Sequence, residues 1–190
     1  MIDLSLNEVE TLSAKAARGA GFSWGLAEDI GRAARRIAVE DQNWGQALLG
    51  LLDNAQSFAP PDPACAARWR IGEADVAAGR PLCPIRTATL LLDDPPPEEV
   101  MPLTILDVAL PLWLDAMLRR STMRLAHPVA LARADVVIER QSGIAPPVAG
   151  RRGAIDRETL AALNGLAART YVPESERSRT RGAGGGRVDD

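Results

Sequence analysis

The chain has 190 residues, 46% of them apolar and only 4% aromatic, and carries a formal net charge of −3. This is enough apolar material for one sizeable core filled mainly by Leu, Ala, Val and Ile, and too little concentrated positive charge for a nonspecific nucleic-acid surface, so no nucleic acid is expected as partner. The acid-bearing start MIDLSLNEVE lacks the basic region and apolar run of a secretory signal, and the longest apolar stretch, Leu103 to Leu118, is broken by Asp107, Pro111 and Asp115; no membrane span is expected and the chain reads as cytoplasmic.

Ser5 and Glu8 have the spacing of a capping box, which predicts a helix from about Leu6. Val9, Leu12, Ala16 and Ala20 recur along its buried side, and Glu8, Thr11, Lys15 and Arg18 form a neighbouring polar stripe. Gly19 and Gly21 are expected to end it. A second helix is predicted from Ser23 or Trp24, with Ser23 as N-cap, Leu26, Ile30, Ala33 and Ile37 as its apolar side, and a Glu28 to Arg32 ion pair on its charged side. Trp44 to Leu52 reads as a third helix.

APPDPA at 59–64 forms a stiff boundary. RTATLLL at 86–92 reads as a buried strand, followed by the rigid turn DDPPPEE. Ile105 to Leu118 reads as helix that Pro111 either starts or kinks. Thr122 to Leu125 and Val129 to Glu139 are strand candidates, and Asp156 opens a last helix with Leu160, Leu163 and Ala167 along it. The expected fold is therefore α+β: an N-terminal helical hairpin or bundle, residues 1–58, packed against a small mixed or antiparallel sheet. Residues 1–170 are expected to form one domain, with 171–190 a polar glycine-rich tail or flap.

GAGFSWGLAE at 19–28 is the richest candidate for chemistry. Its glycines superficially suggest a phosphate loop, but the spacing is GxGxxxG after a helix, whereas a dinucleotide fingerprint needs GxGxxG after a strand. Two readings remain. In one, Trp24 is buried in a helix-turn-helix packing corner and Arg18 is solvated. In the other, Arg18, Gly19, Gly21, Gly25 and the start of the second helix bind an anion while Trp24 covers an apolar part of the ligand. Glu8, Lys15 and Glu28 are then the candidate catalytic groups: either carboxylate for proton transfer, and the single lysine for charge stabilisation. Arg177 in the tail is a further anion-binding candidate.

Cys65, Cys83 and the single His127 match no compact metal-ligand spacing, so neither a metal nor a cofactor is expected. The thiols are expected to be reduced, and a catalytic pairing of Cys83 with His127 has no sequence context to support it.

SLNEVETLSAKAARGAGFSWGLAEDIGRAAR near the start and TYVPESERSRTRGAGGG near the end resemble the two end signatures of a small bacterial family known only as a domain of unknown function. The resemblance implies a cytoplasmic bacterial domain and brings no catalytic assignment with it. The leading expectation is a protein that binds a small carboxylated or phosphorylated metabolite, with its conversion left open; the alternative is a noncatalytic accessory or assembly factor acting as a homodimer or on a protein partner.

Overall fold

The computed structural model describes residues 1–40, 43–74, 78–119, 121–128, 131–143 and 152–171. Strand β1, Ile2–Leu4, leads into helix α1, Leu6–Gly19. At this junction the Ser5 side chain accepts from the Glu8 amide while the Glu8 carboxylate accepts from the Ser5 amide at 2.7 Å, a complete capping box. Helices α2, Trp24–Val39, and α3, Trp44–Asp53, follow. α1 and α2 form an antiparallel hairpin, tied by Glu10 to Arg35 near one end and by Arg18 against Trp24 at the other. The hairpin is packed closely at Gly31, where a Cβ would lie 2.7 Å from the Glu10 carbonyl oxygen.

After the short α4, Pro63–Ala66, the chain forms α5, Pro84–Asp93. The expected strand at 86–92 is thus a helix. Pro84 stands at its first turn, where the missing amide costs nothing, and Pro84, Ile85, Thr87, Ala88 and Leu91 are buried at helical spacing while Arg86 and Leu92 face outward. A run of three leucines fits either period, and here the fold selects the helical one.

A 3-10 turn at Glu98–Val100 precedes β2, Leu103–Ala109. The helix expected from Ile105 begins only at Pro111: α6 spans Pro111–Leu118, and the residues before it alternate as a strand, with Leu103 and Ile105 buried and Thr104 exposed. Strands β3, Met123–Leu125, and β4, Arg133–Arg140, complete an antiparallel sheet of order β2-β4-β3. Its register shifts between Ile105 and Val108, where Asp107 takes a left-handed φ of 57° and its buried carboxylate meets the Arg133 guanidinium. Strand β5, Gly153–Ile155, pairs antiparallel with β1 and leads into α7, Arg157–Ala168, capped by Asp156, which accepts from the Thr159 amide.

The fold is α+β, with the N-terminal helices packed against two small antiparallel sheets. Its core joins Val9, Ile30, Ile37, Trp44 and Leu48 of the helices to Ile105, Trp113, Leu114 and Ile138 around the larger sheet. Each fully buried aliphatic of this kind contributes about 1.5–3 kcal/mol. Helix α2 holds the centre. One side packs on α1, and Arg36 on another donates to the Ala116 and Met117 carbonyls at the end of α6.

Candidate functional site

The corner between α1 and α2 is built by local geometry. The helix ends at Gly19 with Ala20 as C-cap, Gly21 takes φ 103°, and the Phe22 amide returns to the Ala17 carbonyl, which seats the Phe22 ring in the core. Arg18 Nη1 donates to the Phe22 carbonyl at 2.6 Å, and the guanidinium lies over the Trp24 ring, 4.9 Å from its centroid. Trp24 is 68% exposed. Ser23 stands at the N-cap of α2 but its side chain makes no capping bond, so the first amides of that helix, which have no intrahelical acceptor in any helix, are not capped by Ser23.

Below this corner lies a cleft of about 400 Å³, in the size range of small-molecule sites. Thr11, Ala14, Lys15 and Arg18 of α1 line one side, Trp24, Ala27, Glu28 and Arg32 of α2 the other, and Glu10 and Thr170 complete it. Glu10 is paired with Arg35, and Glu28 shares Arg32 with Asp29. Lys15 and Arg18 are different. Among the described residues neither is paired with a carboxylate, and each rests on an aromatic ring: Lys15 Nζ is 5.7 Å from the centroid of Tyr171, itself 61% exposed.

Four of the residues singled out from the sequence, Lys15, Arg18, Trp24 and Glu28, are therefore brought together. Glu8 is not among the lining residues. Its exposed carboxylate caps α1, and the hydrogen bonds from Ser5, that of the side-chain contact first, hold its pKa below the usual glutamate value. Gly19 serves packing: a Cβ there would fall 1.8 Å from the Leu166 carbonyl oxygen, so its bare backbone lets α7 approach α1. Gly21 makes the turn, and Gly25 borders open space. Arg177 lies outside the described residues.

Sequence reasoning did not place Glu10, Thr170 or Tyr171 at the cleft. Glu10 is one turn from Ala14 on the same helix, a signal that was readable, whereas Thr170 and Tyr171 arrive from the far end of the chain without any local cue.

The remaining candidates do not assemble. Cys65 and Cys83 are both free thiols; Cys83 sits at the start of α5, and burial pushes its pKa up, the opposite of an activated nucleophile. His127 is exposed beyond β3. Among the described residues no three His, Cys, Asp or Glu side chains converge as metal ligands, and no helix is long and apolar enough to cross a membrane.

A family model described as "Protein of unknown function (DUF3726)" matches residues 4–57. That segment runs through α1, α2 and α3 and contains every charged residue lining the cleft, while Thr170 and Tyr171 fall beyond it. Comparison with curated proteins and with solved structures gave no match.

Proposed function

We propose that the cleft between α1 and α2 binds a small carboxylated or phosphorylated metabolite, in a cytoplasmic protein whose residues 1–170 act as one α+β unit. The observation that carries this is the pair of cations, Lys15 and Arg18, that share one cleft without a carboxylate partner among the described residues. On the neighbouring helix α2, Arg32 and Arg35 are each paired with an acid. Arg18 orients the anion, Lys15 adds charge, and the exposed indole of Trp24 covers the apolar part of the ligand. Glu28, on the same wall and ion-paired with Arg32, is the carboxylate we assign to proton exchange with a bound metabolite if that metabolite is converted, whereas Glu8 caps α1 outside the cleft lining.

Titration of the protein with simple carboxylates and with phosphate, followed through the indole N–H resonance of Trp24, tests this. Trp44 and Trp113 are buried and supply internal controls. The expected result is a saturable shift of the Trp24 signal that Arg18→Gln abolishes. No response to any of these anions would reject the reading.

A second reading, a noncatalytic assembly factor, draws on the same exposed surface, because Trp, Tyr and Arg are the residues most enriched where binding energy concentrates in protein interfaces. It predicts a homodimer or a stable complex that Trp24→Ala dissociates. A monomeric mass in solution, unchanged by that substitution, counts against it.

A further inference from the structure

We infer that the cleft is covered in cis by the stretch of this chain that follows it, residues 172–176, whose Glu174 and Glu176 carboxylates meet Lys15 and Arg18. A metabolite then binds in competition with the chain's own acids, and for that competition the inference rests on the anion-site reading above.

The first reason is where α7 delivers the chain. Gly19 lets α7 approach α1 at the Leu166 carbonyl, and past the end of α7 the Thr170 and Tyr171 amides still donate to the Ala167 and Ala168 carbonyls. The exit is thereby fixed: Thr170 lines the cleft and the ring of Tyr171 lies under Lys15. The residues after Tyr171 start at the rim. Glu174 comes three positions later and Glu176 five, and an extended chain spans about 10 Å and about 17 Å over those intervals. Lys15 already stands over Tyr171, and Arg18 is less than one turn further along α1, a rise of about 4.5 Å. The acids therefore reach the cations without moving the end of α7.

The second reason is charge. Arg32 answers to both Glu28 and Asp29, and Arg35 to Glu10, so with Lys15 and Arg18 the surroundings of the cleft keep one net positive charge. The adjoining stretch reads VPESE, two acids and no base, and arginines come only from position 177 on. A carboxylate tethered by so few residues acts at an effective concentration in the millimolar range, which a free anion must exceed. Val172 and Pro173 bring apolar surface ahead of the acids, beside the exposed ring of Tyr171.

The test compares the parent chain with Glu174→Gln/Glu176→Gln through the Trp24 indole resonance, first without ligand and then in titrations with acetate and with inorganic phosphate. Without ligand the substitutions are expected to shift the resonance, whereas the same pair made on top of Lys15→Gln/Arg18→Gln gives no further shift. Both probes are expected to bind the variant about threefold tighter than the parent, the worth of an exposed ion pair. Asp189→Asn/Asp190→Asn, which removes two acids elsewhere, leaves resonance and affinity as in the parent; an equal response there overturns the contact in favour of a general charge effect. An unshifted resonance with unchanged affinity overturns it too, and leaves the anion site standing. A shifted resonance with no Arg18-dependent binding of either probe keeps the contact and removes the metabolite. A shift that grows with protein concentration assigns the acids to a second copy and overturns the contact in cis.

Discussion

Helix α2 borders two hollows, and their arginines are used in opposite ways. In the cleft against α1, Arg18 and Lys15 lie on aromatic rings and make no ion pair among the described residues, although Glu10 and Glu28 line the same cleft. In the hollow of about 310 Å³ against α5 and α6, lined by Asp29, Arg32, Arg36, Leu92 and Met117, Arg32 is bound to Asp29, and Arg36 is bound to two backbone carbonyls that end α6. The two hollows are similar in size. Arg32 lines both hollows and is ion-paired, so what separates them is Arg18 and Lys15, which make no ion pair among the described residues. An arginine that closes a helix end is part of the scaffold, and one left with open donors beside an exposed indole is available to a ligand.

The largest effect on this comparison is expected from Gly31→Leu. Its Cβ alone would press on the Glu10 carbonyl and on Ala14, so α1 and α2 must separate, at a cost of about 3 kcal/mol. Denaturant unfolding should register the loss, and the anion cleft should disappear while the hollow against α5 and α6 survives. An unaltered midpoint would mean that the hairpin is looser than described.

Arg36→Gln comes next. It deprives the end of α6 of a charged donor and is expected to lower stability by about 2 kcal/mol without changing carboxylate binding. Arg18→Gln is its mirror image. Loss of its one bond, to Phe22, is expected to cost about 1.5 kcal/mol, whereas the carboxylate response of Trp24 should vanish. If the two variants gave the same pattern in melting and in titration, the distinction between scaffold and site would fail.

The smallest effect concerns the helix caps. Glu8 and Asp156 are both held below their ordinary pKa values by hydrogen bonds, from Ser5 and from Thr159 respectively. A carboxylate depressed in the folded state adds stability above its unfolded pKa and loses it as the pH falls through the folded one. Both caps are thus complete above about pH 5 and weaken below about pH 4. Acid unfolding of Glu8→Gln should show a shallower pH dependence than the parent over that range, with carboxylate binding at neutral pH unaffected. A loss of binding in this variant would return Glu8 to the site.

Much of the N-terminal half was readable from the chain because its contacts are local. The Ser5–Glu8 box and the Glu28–Arg32 pair span three or four residues, and helical geometry alone brings such residues together. The grouping of Lys15 with Arg18 follows from the same spacing. Residues 86–92 and 105–110 were less determinate. Both are short apolar runs whose period fits strand or helix, and the choice was made by what covers them: Leu103 and Ile105 by pairing with Ile138 and Val136, and Leu91 and Ala88 by the core beneath α5.

By itself, then, the sequence determined an α+β chain that opens with a capped helical hairpin and places a lysine, an arginine, an indole and a carboxylate around one corner. Tertiary structure decided which charges stay unpaired there. Arg35 reaches Glu10 across the hairpin from 25 positions away, Arg36 crosses to α6, and Tyr171 returns from the far end to lie under Lys15. Each of these contacts joins residues far apart in the chain, so no spacing rule announces it. The electrostatic character of the cleft is set by their sum, which exists only once the helices have packed.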